Sequence, residues 1–209
     1  MTKALTAEHK SATVQRPLRE KRKLMSRQAI LDAALYLFSM QGYNNTSLQE
    51  IAAQAGLHEQ TLYRHFASKT ELANGISDME LEKFRVFFND RNANTLQTWR
   101  EWVKRRAKAH SAQKSSSFFA ANPSGSSIYL GFQFRYERIL ADGLAKDMAV
   151  DLNKDPRPML IACMLWGSNL HASSGWVKSG AKGSLVTTAT DVVDNIGLLF
   201  PELVGGSIS

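Results

Sequence analysis

The stretch Leu57-His58-Glu59-Gln60-Thr61-Leu62-Tyr63-Arg64-His65-Phe66 is unusually polar for a segment of one to two helical turns. Leu57, Leu62 and Phe66 suffice to anchor it, which leaves His58, Gln60, Thr61, Tyr63, Arg64 and His65 to point outward. Directional hydrogen bonding to the base edges and phosphates of a duplex suits this set. A glutamine pairs in two-point fashion with adenine and an arginine with guanine, a threonine methyl packs on thymine, and tyrosine and histidine reach phosphates. Thr46 stands at the start of the preceding segment, where free backbone N–H groups and the helix dipole favour a phosphate. Lys69 adds a cation where the next segment begins.

Catalytic patterns are missing. The chain has no P-loop, no G-x-S-x-G elbow and no H-E-x-x-H, and Cys163 is its single cysteine. His58 and His65 lie two turns apart on one helix, roughly 10 Å of rise, too far to share a metal. The sequence therefore predicts no enzyme, no cofactor and no metal site.

Helical periodicity supplies the elements that must position these residues. Ile30, Ala33, Ala34, Leu37 and Phe38 lie on one face of a helix of about four turns, which Gln41-Gly42 ends. Two overlapping capping boxes follow, Thr46 with Gln49 and Ser47 with Glu50, and Leu48, Ile51, Ala52 and Ala55 continue as a short amphipathic helix up to Gly56. Ser68-x-x-Glu71 opens a longer helix through Leu72, Ile76, Met79 and Phe84. Two short helices around a glycine turn, braced by a longer one on each side, describe a helix-turn-helix. Further helices are expected over Leu96 to Ala112, over Ile128 to Leu152 with a possible break at Gly143, after Asp155-Pro156-Arg157-Pro158, and after Ser184. The fold class is all-α.

Charge is concentrated at one end. The net charge is +7 over 209 residues, and residues 1–70 hold ten Lys and Arg against five Asp and Glu. Arg16, Arg19, Lys21, Arg22, Lys23 and Arg27 oppose only Glu20, a cluster that attracts a polyanion. Residues 1–23 are expected to form a flexible basic arm that contacts DNA. A lone cysteine excludes an intrachain disulfide scaffold, the N-terminus lacks a signal-peptide core, and the longest apolar stretch, around Met159 to Trp166, is far short of a membrane span. The expectation is a cytoplasmic protein.

Ile30-Leu31-Asp32-Ala33-Ala34 with Leu37-Phe38, Gly42-Tyr43, Thr46-Ser47-Leu48, Ile51-Ala52, Ala55-Gly56-Leu57, Thr61-Leu62-Tyr63-Arg64-His65-Phe66 and Ser68-Lys69-Thr70-Glu71-Leu72 resemble, in order and spacing, the DNA-binding domain of TetR/AcrR-type bacterial transcriptional regulators. The resemblance spans about residues 24–84. It implies an all-helical homodimer, usually a repressor, with three N-terminal helices on DNA and a divergent C-terminal effector-binding domain. By motif position it assigns DNA contacts to Thr46, Gln49, Gln60, Thr61, Tyr63, His65 and Lys69, with Arg64 added on chemistry alone.

Residues 85–209 are expected to form a helical effector-binding and dimerisation domain. Trp99, Trp102, Phe118, Phe119, Tyr129, Phe132, Tyr136 and Trp166 are the candidate ligand-contacting residues, with Phe134, Met148, Met159 and Met164 as further candidate walls. A palindromic double-stranded DNA operator and a small apolar or aromatic effector are the expected partners. Dimerisation is assigned to helices over about 157–178 and 184–199, with Gly167, Ser168, Ser174 and Gly175 allowing close approach. The alternative is an architectural DNA-binding protein without an effector, against which the long aromatic-rich C-terminal part argues.

Overall fold

A computed structural model describes the backbone of residues 2–113 and 127–204, and the side chains of 18–111 and 133–204. Helices account for nearly all of it: α1 (Thr2–Gln41), α2 (Leu48–Gln54), α3 (Glu59–His65), α4 (Lys69–Asn89), α5 (Thr95–Gln113), α6 (Ser127–Asp147), α7 (Arg157–Lys178) and α8 (Leu185–Leu199), then a short 3-10 turn, Pro201–Leu203. No strand occurs among the described residues. None of the described helices is long and apolar enough to cross a membrane.

Two hydrophobic clusters organise the chain. The first gathers Ile30, Leu31, Ala34 and Phe38 of α1, Ile51 and Ala52 of α2, Leu62 of α3 with Phe66, and Leu72, Ala73 and Ile76 of α4. The second gathers Leu81, Phe84 and Phe88 of the same α4 with α5, α6, α7 and α8. Its centre is aromatic: the Phe84 and Tyr136 rings stack at 4.7 Å, Phe84 meets Trp99 edge-on at 5.6 Å, and Tyr136 lies 4.5 Å from Trp166. Ring pairs of this geometry add to what their burial alone contributes.

The termini are set by local chemistry. The Pro156-Arg157-Pro158 start of α7 leaves no N–H to be orphaned at the second proline, and Asp155 accepts from the Arg157 backbone N–H at 2.9 Å. Ser184 caps α8 by accepting from the Thr187 N–H at 3.2 Å. The first N–H of α5, that of Thr95, donates to the Asp147 carboxylate at the end of α6 at 2.5 Å, an anion where the helix dipole favours one.

One expectation differs from the structure, and of two alternatives one is observed. α1 does not begin near residue 24 after a flexible arm but is helical from Thr2. Its N-terminal part is dominated by Ala, Leu, Glu, Gln, Lys and Arg, which lose little freedom in a helix, and Pro17 is its one strong breaker. Residues 18–25 of this extension are exposed, so solvation rather than an apolar face surrounds them. α6 is one helix with no break at Gly143. There the missing side chain permits a close approach: a Cβ at 143 would stand 2.6 Å from Thr95 Oγ1 and 2.7 Å from Phe88 Cζ.

Gly143→Ala is accordingly expected to destabilise by about 1–3 kcal/mol through overpacking, lowering the melting temperature by about 2–4 °C per kcal/mol. Thermal unfolding followed by circular dichroism measures it, and an unchanged midpoint would mean that α4, α5 and α6 are not in contact at this point.

Candidate nucleic-acid interface

α2 and α3 are joined by Ala55-Gly56-Leu57, with Gly56 at φ 67°, a left-handed conformation that a side chain disfavours. The turn closes through Leu57 N–H donating to Ala52 C=O at 2.9 Å. Of the two capping boxes open to the sequence, the structure forms one. Glu50 N–H donates to Ser47 Oγ at 3.1 Å, and Ser47 N–H donates to Glu50 Oε2 at 2.7 Å. These bonds hold the Glu50 carboxyl below its ordinary range.

Thr46 is thereby displaced from its expected role. It is 2% exposed and its hydroxyl donates to Gly42 C=O at 2.8 Å, so this side chain closes the α1–α2 turn and is not presented to a phosphate. The sequence could not separate the two registers because both satisfy the S/T-x-x-E/Q spacing.

α3 presents the expected polar face. Leu62 is buried, Gln60, Tyr63 and Arg64 are exposed, and Thr61 and His65 are half-buried. Gln49 is exposed on α2, and His58 is exposed at the start of α3 without capping it through its side chain. Lys69, at the first position of α4, is half-buried: its ammonium lies 4.4 Å from the Tyr43 ring centroid and donates to Asn44 C=O at 3.5 Å. Desolvation lowers its pKa, and Glu50 opposes that shift. Lys69 thus braces the turn before α2, and any phosphate would share a cation already engaged.

The exposed half of α1 adds to this face. Arg19, Arg22, Lys23 and Ser26 line an open hollow together with Thr61, Arg64 and His65 of α3. His65 is held below the ordinary imidazole value by desolvation first, then by Lys23, Arg64 and Arg27. Four of the cations counted in the sequence therefore converge on the recognition helix rather than trailing from it, with Arg27 itself seated 5.1 Å from the Phe66 ring.

A second concavity, about 800 Å³ including the part open to solvent, lies among α4, α5, α6, α7 and α8. Trp99, Trp102, Tyr136 and Trp166 line it, four of the residues expected to touch a ligand. Phe118 and Phe119 lie outside the described residues, and Tyr129 and Phe132 fall within α6 at positions whose side chains are not described. Phe134 is 65% exposed, while Met148, Met159 and Met164 pack against the core, so none of these four is a wall. Sequence reasoning missed the polar wall: Glu80, Arg106, His110, Asn169 and Ser173, joined by Trp176. Glu80 is 1% exposed and its two carboxylate oxygens meet Lys83 at 2.9 Å and Arg106 at 2.5 Å. An Asn in the apolar stripe of α7 was the one local signal available, since a buried amide breaks that pattern.

Residues 30–76 match the family of bacterial regulatory proteins, tetR family. Over 73 residues the chain is 45% identical to the HTH-type transcriptional regulator AcrR of Shigella flexneri, a stretch that covers 31% of this chain and 34% of that protein. The chain thus matches only about a third of that relative's length. Among solved structures, a tetR-family transcriptional regulator from Streptomyces coelicolor superposes with a TM-score of 0.66 at 17% identity, covering 84% of this chain and 80% of that one. The transcriptional regulator FadR from Bacillus subtilis, solved in complex with stearoyl-CoA, superposes with a TM-score of 0.61 at 18% identity, covering 81% and 96%. Residues 30–76 thus match the tetR family of bacterial regulatory proteins and form a helix-turn-helix, and the chain around them shares the all-helical fold of these two structures.

Proposed function

We propose that the protein is a homodimeric transcriptional repressor that binds a palindromic operator through α3 and leaves it when a small apolar or aromatic effector occupies the C-terminal cavity. The observation that carries this reading is the polar face of α3 beside the basic hollow of α1. A helix of this width enters the major groove, and a two-fold dimer doubles the few base pairs that one such helix reads. Gln60 and Arg64 are the base readers in this reading, with Thr61 and Gln49 beside them. Tyr63, His65, Lys69, Arg19, Arg22 and Lys23 meet phosphates.

Operator titration against a panel of base-substituted sites tests the assignment. Gln60→Ala and Arg64→Ala are expected to change base preference by about 1–3 kcal/mol at one position each, whereas Tyr63→Ala weakens all sites alike. Wild-type affinity and preference in all three variants would remove α3 from the interface.

His65 gives the complex a pH dependence of known sign. In the free protein its pKa is depressed, and a phosphate beside it favours the charged ring, so the pKa rises on binding and a proton is taken up. Affinity therefore increases as pH falls through the bound-state value. Between about pH 7.5 and about pH 5.5 the wild type is expected to tighten and His65→Gln to tighten less. Superimposable pH profiles would show that no phosphate approaches this ring.

For dimerisation, α7 and α8 supply the contact surface in this reading. Leu160 is 60% exposed, Leu198 79% and Leu199 66%, and a Cβ at Gly167 or Gly175 would meet nothing within 4 Å. Ser174 is buried and Val193 is 1% exposed, so both belong to the protein's own core and Val193→Glu would unfold the chain rather than probe an interface. Leu198→Glu is the informative change. It is expected to leave helicity intact and to yield a monomer with weakened operator affinity; sedimentation showing an unchanged dimer would place the interface elsewhere.

The effector reading is supported by the cavity and by the FadR neighbour, which was solved with stearoyl-CoA. Release requires that the effector prefer a conformation in which the two α3 helices no longer match successive major grooves, with a coupling of about 1–3 kcal/mol being the usual scale.

A further inference from the structure

The cavity wall holds polar atoms that the protein itself does not satisfy. Trp99 is 2% exposed and Asn169 7%, both line the cavity, and neither Trp99 Nε1 nor Asn169 Oδ1 has a hydrogen-bond partner among the described residues. The amide orientation of Asn169 is fixed, because Nδ2 donates to Leu165 C=O at 3.1 Å and leaves Oδ1 as the free end. The two groups belong to one corner: Trp99 lies 6.1 Å from Trp166, and Asn169 is about one turn further along the same helix. An N–H without an acceptor and a C=O without a donor thus line the same cavity, each at a cost that a matching molecule would relieve.

The charges of the site are already matched. Both oxygens of Glu80 are engaged by Arg106 and Lys83, and Arg106 is the cation among the described lining residues. His110, also lining the cavity and 8% exposed, is driven down to about 4 by burial first and then by Arg106, so it is a neutral ring near neutral pH, its Nδ1 unpartnered. An ion entering here would find no uncommitted countercharge among the described lining residues. A flat ring, by contrast, finds Trp99, Trp102, Tyr136, Trp166 and Trp176 around it.

We propose that the cavity selects an uncharged planar aromatic molecule whose rim carries a hydrogen-bond acceptor next to a donor, an amide- or lactam-like edge seated on Trp99 Nε1–H and Asn169 Oδ1. This rests on the reading of the cavity as the effector site and replaces a purely apolar ligand by one with a polar edge. His110 lies eleven residues beyond Trp99, about 16 Å of helical rise, and provides a polar contact at the far end for longer molecules.

Isothermal titration of the full chain with four bicyclic probes tests it: 2-quinolone, which has the lactam edge; quinoline, which has only the acceptor; 2-naphthoate, an anion; and N-methylquinolinium, a cation. 2-Quinolone is expected to bind at least tenfold more tightly than the other three. Asn169→Leu should bring 2-quinolone down to the affinity of quinoline while leaving quinoline unchanged, and, should that variant fold poorly, Trp99→Phe should weaken 2-quinolone and quinoline alike, since both place an acceptor on Trp99 Nε1–H. Equal binding of 2-quinolone and quinoline, as expected if ordered water satisfies both atoms, overturns the proposal. So does tighter binding of the naphthoate or the methylquinolinium, and in each of these cases the cavity still stands as a ligand site. If none of the four binds, both the proposal and the effector reading of the cavity fall.

Discussion

The structure depends on the double burial of α4. Leu72, Ala73 and Ile76 complete the core under the helix-turn-helix, and Leu81, Phe84 and Phe88 enter the aromatic core two turns later. A helix is stiff over this length, so the orientation of α2 and α3 is fixed to whatever seats the far end of α4. Between the two apolar stretches stands Glu80, whose carboxylate is buried with Arg106 and whose backbone C=O accepts from the Tyr136 hydroxyl at 3.1 Å. A buried ion pair is weak as a source of net stability, because desolvation offsets most of the attraction. What it does well is reject alternatives, since any seating of α4 that parts Glu80 from Arg106 leaves a buried charge unmatched.

The nucleic-acid face shows the opposite use of charge. Its cations are brought close to one another without enough carboxylates to neutralise them, and Lys23, Arg64 and Arg27 add to the desolvation that chiefly lowers the pKa of His65. Of the carboxylates nearby, Glu50 is committed to Ser47 and to the cap of α2. The helix-turn-helix is therefore held by apolar contacts and caps, while its exposed charge is left unbalanced for a polyanion to complete. The same geometry explains why Lys69 and Thr46, though adjacent to the recognition helix, contribute mainly to the turn that sets its angle.

Much of this was legible in the sequence, for physical reasons. Apolar residues at helical spacing, a glycine that needs positive φ and capping pairs at fixed offsets are local signals, and they located α2, α3 and α4 closely. Where two local signals overlapped, as at Thr46 and Ser47, only packing could choose between them. The start of α1 was missed because its charged sequence gives no apolar period and Pro17 reads as a boundary. Aromatic side chains beyond Phe84 were recognisable as interior residues, but whether an interior residue lines a cavity or fills a core depends on the helix opposite. Tyr136 and Trp166 do both, each lining the cavity while packing in the aromatic core.

In the proposed effector reading, the cavity communicates with α3 through α4, and that limits where a ligand could act to move α3. Glu80 lies on the cavity wall, four residues from both Ile76 in one core and Phe84 in the other. A ligand that merely filled space against Leu185 or Ala189 would touch α8 and stabilise the C-terminal helices in either position of α4, shifting nothing. One that leans on the Trp99–Tyr136 corner bears on the rings packed against Phe84 and on the hydroxyl that donates to the Glu80 carbonyl. Because close-packed interfaces repack between discrete arrangements rather than deforming gradually, a small displacement there favours a second seating of α4 rather than a graded bend. That seating carries α2 and α3 with it, since Leu72, Ala73 and Ile76 leave their core no freedom to stay behind.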